Sequence, residues 1–370
     1  MNKADLKTTI EAIAVLQKEG RSDRPILWNM LVTEDTIEYT NLEVALRVRV
    51  PGGHPYLTEP AYIPITQCKN YVTKTSADNL DFVKDGAHTM SLRSGKSRLK
   101  VPTIALTPKT HIEIPHVADM ELNDQDNMRV LGVELQRGID RCLPFMDRSD
   151  SHKALDCLEL QYSNTEDKLH LISSDQVSLR SHNMTVGTYG GSFNIHNPNL
   201  TMATIKLLKV LHRHDKSIWW NITTAYEGKT LVMYNDTYTI IQRTHDVKFP
   251  HWKQAVEEFT KGTPKSTTYK MDLKVALGEL SSVLTTEHRW VVMREGMFKA
   301  CTPLGEIEVD FDTGPLDNGT DSIGFNFGYM EAYMKTLGPD ERVYLHHSGA
   351  RKPVVCQDES GFFFMSPVAV

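Results

Sequence analysis

No apolar run of about 18 residues, the length a membrane-spanning helix needs, occurs anywhere in the chain. The first twenty residues carry Lys3, Asp5, Lys7, Glu11, Lys18 and Glu19, which rules out a secretory signal. Cysteine is sparse and never in CxxC spacing: Cys68, Cys142, Cys157, Cys301 and Cys356 are scattered and odd in number. That pattern points to reduced thiols in a cytoplasmic setting and away from a zinc site. There is no HExxH, and no Ser or Cys sits in a nucleophile-elbow context. Gly95-Lys96-Ser97 ends like a phosphate-binding loop, but Met90 stands where that loop needs glycine, and a strand follows instead of a helix. The loop Gly187 to Gly191 lacks the GxGxxG spacing and reads as a turn. His346 and His347 are adjacent on a strand and point to opposite faces, while His212 and His214 are two apart near a helix end. Neither pair can chelate one ion. Asp147 and Asp150 lie in a polar loop. No acid/base, nucleophile or metal constellation remains, so neither an enzyme nor a cofactor is expected.

Periodicity supplies what the motifs do not. Residues 4–17 place Leu6, Ile10, Ile13 and Ala14 on one helical stripe, and residues 41–50 alternate Leu42, Val44, Leu46, Val48 and Val50 as a half-buried strand. Further helices are expected at 65–73, 127–142, 200–213, 271–284 and 325–337, with strands between them in groups of about three. A helix followed by strands is thus written twice in each third of the chain. The period of about 120 residues is too long for a solenoid repeat. It predicts an α+β protein of three similar domains, 1–125, 126–261 and 262–370, each with two helices packed on antiparallel sheet.

Two features need a surface to explain them. The last nine residues, Phe362 to Val370, contain no charge and three consecutive Phe. Phe362 to Met365 reads as a final buried strand. Pro367 cannot donate to a ladder, so Ser366 to Val370 is expected to leave the sheet and lie on a surface. The second feature is charge. With a net charge of −6, contact with DNA requires basic residues gathered on one face. Lys206, Lys209 and Arg213 fall at i, i+3 and i+7 on one helix, Arg137 and Arg141 at i and i+4 on another, and Arg21 and Arg24 follow the first. Basic helices on one surface would contact phosphates without reading bases.

Along its whole length the chain resembles the bacterial DNA polymerase III β subunit, the sliding clamp. Arg24-Pro25-Ile26-Leu27 with Asn29 is similar to the family's PIL.N stretch, and Thr40 to Val44 to its TDLE, with Asn41 in place of Asp. Leu92 to Leu99 resembles v.SG.sRf, which accounts for the false phosphate-loop ending, and Ser173 to Leu179 stands where the family has ATDghRL. Phe249-Pro250-His251-Trp252 resembles FPdY, Phe325-Asn326 with Tyr329 resembles FN..Y, and Phe364 to Val368 resembles the terminal vMPm. Each motif alone is weak; their order and spacing together are specific. The departures mark a divergent member, phage- and plasmid-type forms included.

The resemblance implies a homodimer, two three-domain chains closed head to tail into a ring that encircles duplex DNA without sequence specificity. The helices would line the hole, with Arg21, Arg24, Arg137, Arg141, Lys206, Lys209 and Arg213 facing DNA. Leu99 and Val101 at one end would meet Val283 and Leu284 of the other copy. A DNA polymerase and a clamp loader would insert short hydrophobic peptides into a groove formed by Leu155, Ser174, Gln176, Val177, Leu179, Pro250, Gln254, Phe364, Ser366, Pro367 and Val368. No membrane contact is implied. Three departures stand out: Gln176-Val177-Ser178 replaces Gly-His-Arg, the chain ends Ala-Val where Arg-Leu is usual, and the strand before the first helix is missing or very short. The alternative is a clamp-like scaffold that binds partner peptides without encircling DNA.

Overall fold

The computed structural model describes the chain except residues 21–23, 58, 124–126, 148–154, 164–165, 189–196, 216, 246–248, 250–251, 261–263, 317–321, 350 and 369–370. Helices α1 (Lys3–Glu19), α2 (Ile65–Lys74), α3 (Gly132–Cys142), α4 (Met202–His214), α5 (Trp252–Thr260), α6 (Lys270–Leu280) and α7 (Phe327–Thr336) alternate with short antiparallel strands. By contacts the chain gathers into two compact units, one of residues 1–136 with 185–246, the other of 137–184 with 247–370.

In the first unit, a sheet runs in the order Gly187–Thr188, Met128–Leu131, Trp219–Ala225, Thr230–Tyr234, Tyr238–Arg243, Val44–Arg49, Thr36–Thr40, Asn29–Val32, Ala61–Pro64, Ile104–Ala105. A smaller sheet holds Asp81–Gly86, Thr89–Ser94 and Ser97–Pro102. α1 and α4 pack side by side and antiparallel, because Glu19 meets Lys206 at 2.8 Å while Glu11 meets His214 at 3.6 Å. The α1 stripe of Leu6, Ile10, Ile13 and Leu16 is fully buried, as its period predicts. Thr8 and Thr9 are buried there too, and their hydroxyls donate back to the carbonyls of Ala4 and Asp5, which satisfies them inside the helix.

In the second unit, Cys157–Ser163, Lys168–Ser174, Ser178–Thr185, Gly361–Met365, Val354–Asp358, Arg342–His346 and Ser266–Tyr269 are successive neighbours in one sheet. A second sheet has the order Gly305–Asp310, Met297–Thr302, Trp290–Arg294, Ile323–Asn326. α6 and α7 cover this unit's core with Leu273, Leu277, Leu280, Met330, Tyr333 and Met334.

Several helices begin later than their apolar pattern suggests, because each grows directly out of a short strand. Met128–Leu131 runs into α3, Ile323–Asn326 into α7, Asn199–Thr201 into α4, Ala61–Pro64 into α2 and Ser266–Tyr269 into α6. The helices expected at 127–142 and 325–337 are therefore strand–helix pairs, and the one expected at 271–284 ends at Leu280. Among the described residues no strand runs directly into α1 or α5; at α1, Asn2 forms a single bridge to Asn79 and caps the helix with its side chain.

Repetition is visible at single hydrogen bonds. In three hairpin turns a hydroxyl at one position accepts the N–H two residues on: Thr40 from Leu42 at 2.9 Å, Ser174 from Gln176 at 3.3 Å, Thr302 from Leu304 at 3.1 Å. These turns sit at corresponding points of the three thirds of the chain. All five cysteines are free thiols, and burial pushes the Cys68, Cys142 and Cys157 thiols up to about 12.

A buried polar cluster crosslinks the second unit. Asp358 and Arg180, both with fully buried side chains, pair at 2.8 Å. The Tyr333 hydroxyl donates to Asp358 at 2.9 Å, and Tyr333 lies between the Arg180 guanidinium, 5.2 Å from its ring, and Phe363, stacked at 4.7 Å. Burial alone would raise the Asp358 carboxyl, but Arg180 and the Ser360 hydroxyl hold it below its ordinary value. Asp358→Asn strands the Arg180 charge in the core and is expected to cost about 3–5 kcal/mol in urea unfolding. His182 sits on the same strand, and burial followed by the charges of Arg180 and Arg141 pushes it down to about 3. Its folded value lies below the unfolded one, so the unfolded chain takes the proton first. Stability from this group is therefore complete above about pH 6.5 and falls as pH drops toward about 3. Unfolding curves of His182→Leu across that window should show a shallower acid dependence than the parent.

Candidate functional site

The strand Ser178–Thr185 pairs with Gly361–Met365, with Leu179 opposite Phe364 and Ser178 opposite Met365. Beyond Met365 the chain leaves the ladder, yet it remains tied down: the Ser366 N–H donates to the Val177 carbonyl and the Val368 N–H to the Gly324 carbonyl, each at 2.9 Å. Pro367, which has no N–H to donate, stands between these two anchors. The tail thus lies along the turn at 174–178 as its composition predicts. That turn is held by the Asp175 carboxylate, which accepts the N–H groups of Val177 at 3.2 Å and Ser178 at 2.7 Å. Gln176 at its tip has φ 75°, a left-handed conformation that glycine adopts without cost. Leu155 joins the same place because the Asp147 N–H donates to both the Leu155 and Ser174 carbonyls.

Leu155 and Leu179 are buried and Val177 is 41% exposed, so the assembly has an apolar floor and an accessible rim. α5 walls it. Trp252 and Val256 pack on Ile172 and Leu179, with Phe249, Phe362 and Phe364 against them. Gln254 is exposed on α5, and Pro250 lies outside the described residues. The structure therefore brings together Leu155, Ser174, Gln176, Val177, Leu179, Gln254, Phe364, Ser366, Pro367 and Val368. Sequence reasoning placed neither α5 nor Tyr329 here. The spacing of Trp252, Val256 and Phe259 at i, i+4 and i+7 was the available signal for the helix. Tyr329 is half-buried, and its hydroxyl is pushed up first by burial, then by hydrogen bonding to Asp175 and by the charges of Asp175 and Asp147.

The basic helix faces are partly as expected. Lys206, Arg213, Arg137 and Arg24 are exposed and Lys209 is half-buried; Arg21 lies outside the described residues. Arg141 is a correction. It is 6% exposed and turns into the second unit's core, where it pairs with Glu341 and lies 3.5 Å from Asp358. Its i, i+4 spacing from Arg137 is real, but its acidic partners lie far along the chain, where helical spacing gives no hint of them.

Two sheet edges have matched patterns. Ser97–Pro102 and Gly305–Asp310 each end a sheet and, among the described residues, have no strand on their outer side. Leu99 and Ile307 are half-buried, Val101 and Val309 buried, and the residues between them exposed. The charges are opposite. Arg98 and Lys100 on the first lie 3.6 and 3.3 Å from Asp85, whereas Glu306 and Glu308 on the second share Lys299. Val283 and Leu284 follow α6, half-buried against the core, and the Val283 carbonyl accepts the Thr302 hydroxyl at 2.9 Å. They lie beside the second edge rather than on it. The sequence reading did not single out the acidic edge strand, although the alternation in Gly305–Asp310 is plain in the sequence.

No protein-family model matches the chain, and no curated protein matches it in sequence. Solved structures match from end to end. A putative DNA polymerase III β subunit from Eubacterium rectale has a TM-score of 0.81 at 14% identity, covering 100% of this chain and 99% of that one. The β subunit of Thermotoga maritima has a TM-score of 0.79 at 14% identity, covering 100% and 98%. A Pseudomonas aeruginosa sliding clamp bound to griselimycin has a TM-score of 0.77 at 17% identity, covering 100% and 98%. The chain has the sliding-clamp fold over its full length.

The groove edge offers a direct test of its backbone. Gln176→Gly should leave stability within about 0.5 kcal/mol, since relief of the left-handed backbone offsets added chain entropy. Gln176→Val, with a branched Cβ at positive φ, should lose about 1–2 kcal/mol in the same urea titration.

Proposed function

We propose that this chain is a sliding clamp: a head-to-tail homodimer that encircles duplex DNA and tethers a replicative polymerase through a peptide held in the groove. The observation that carries the reading is the pair of open sheet edges with burial patterns that match from the second residue on and with opposite charge. The first unit supplies a template for joining them. There Val44–Arg49 pairs with Tyr238–Arg243 while α1 and α4 pack beside them. The same arrangement between two copies pairs Ser97–Pro102 with Gly305–Asp310 and lays α2 beside the partner's α6. It covers Met271 and Val275, which are 48% and 58% exposed on α6. It also places Arg98 and Lys100 against Glu306 and Glu308, so that complementary charge fixes which edge meets which.

In this reading the three domains are 1–125, 126–261 and 262–370, as the three hydroxyl-held turns suggest. Lys206, Lys209, Arg213, Arg137 and Arg24 face the DNA phosphates. They give weak, salt-sensitive contact without base reading, which permits sliding. Retention on DNA is then topological and needs no catalysis. The protein acts in the cytoplasm with its thiols reduced; no helix among the described residues is long and apolar enough to cross a membrane.

Charge exchange tests the ring. Glu306→Lys with Glu308→Lys places two basic edges together and should raise the dimer dissociation constant about a hundredfold in sedimentation. Adding Arg98→Glu and Lys100→Glu to the same chain should restore the dimer. A parent protein that is strictly monomeric, or a fourfold variant that stays monomeric, would instead favour a scaffold that does not encircle DNA. The loaded parent should remain on circular DNA and leave it after linearisation.

A further inference from the structure

The groove's rim is acidic at one end, and this bears on what it holds. Asp175 faces the half-buried ring of Tyr329, with Asp147 contributing charge at the same hydroxyl. Among the described residues no Lys, Arg or His comes within 4.0 Å of the Asp175 carboxylate, which accepts the Val177 and Ser178 N–H groups and the Ser178 hydroxyl. The turn itself does not need this charge. In the corresponding turn at 40–44, the Asn41 side-chain oxygen accepts the N–H groups of Glu43 at 3.1 Å and Val44 at 2.8 Å, the same two bonds made by a neutral amide.

The opposite wall adds acid. Gln254, Glu257 and Glu258 share the exposed side of α5. Among the described residues two amines here are engaged: Lys253 lies 5.8 Å from the Trp252 ring, and Lys352 lies 5.4 Å from the Phe259 ring and 3.8 Å from Glu258. Gln176, Val177 and Ser178 on the near edge bring no charge. An extended ligand laid along this turn would meet Val177 and the half-buried Phe364 over the buried Leu155 and Leu179. Near the half-buried Tyr329 ring it would meet the Asp175 carboxylate, which has no cation within 4.0 Å among the described residues. A guanidinium or ammonium group satisfies both, by a charge-assisted hydrogen bond to Asp175 and by lying on the tyrosine ring.

We infer that the groove selects hydrophobic peptides that carry a Lys or Arg beside their apolar anchors, with Asp175 and Tyr329 as the subsite for that cation. The inference rests on the peptide-groove reading above and specifies its partner.

The test uses the intact protein and fluorescein-labelled peptides of one hydrophobic core, QLxLF-like, flanked by Arg, Gln or Glu at the same positions. Anisotropy titrations should rank Arg tightest, with about a fivefold gain over Gln for the added ion pair. The gain should shrink as salt is raised. Asp175→Asn, which can keep the turn as Asn41 does, should abolish the gain while leaving affinity for the Gln peptide within about twofold. Equal affinities for the Arg and Gln peptides would overturn the inference and leave the groove intact. Binding of no peptide would overturn both.

Discussion

The pairing of Arg180 with Asp358 is the constraint on which the second unit depends. Two charges without solvent are stable only when each is met by the other and by further hydrogen bonds. Here the requirement is met from several elements at once. Arg180 comes from the strand beside the final hairpin, Asp358 and Ser360 from that hairpin, Tyr333 from α7 and Arg141 from the end of α3. None of these elements can shift alone without stranding a charge. The Arg180 strand and the final hairpin also carry Leu179, Phe364 and the anchored tail. The apolar floor is therefore built on the same elements that the buried pair ties together.

Repetition explains how one chain produces such different surfaces. The three turns share an N–H to hydroxyl hydrogen bond and differ at their tips, which are Leu42, Gln176 and Leu304. At 175–178 the turn lies beside the tail; at 302–305 it leads into the acidic edge strand. The third turn is also one residue shorter, since Thr302 pairs directly with Gly305, and Pro303 stands where Asn41 and Asp175 accept N–H groups. Both the neighbour and the turn therefore change. Growing α2, α3, α4, α6 and α7 directly out of strands has a related effect: it fixes the start of each helix by the sheet register.

This division also explains what could be read from the sequence. α4 and α1 were legible because their apolar stripes are long and complete. The departure of Ser366 to Val368 from the sheet was legible because Pro367 forbids a ladder bond there. The alternation of helices with short antiparallel strands was legible because period survives substitution. The strands feeding α3 and α7 were not, since four residues of apolar character merge with the helix pattern that follows them. Arg141 misled for a deeper reason. Helical spacing reports which residues share a face, and it cannot report that an acid elsewhere in the chain draws one of them inward. α5 was hidden by the Phe249-Pro250 punctuation before it, although Trp252, Val256 and Phe259 carry the period. Most residues gathered around the turn at 174–178 were named from the sequence, and Tyr329 was not.

Open edges invite pairing with any other edge, and a protein with two of them must control which pairs form. Like charge supplies that control here. Two Ser97–Pro102 strands would oppose Arg98 and Lys100 to their own kind, and two Gly305–Asp310 strands would oppose Glu306 and Glu308. Only the unlike edges attract, so the proposed association between copies is heterologous. Heterologous contacts either close into a ring or continue as a filament, and rotation per subunit decides between them. In the proposed ring, closure after two copies leaves neither of these two edges open. The edge charges that suppress wrong pairings are then the same ones that hold the ring shut, which couples the specificity of assembly to its strength.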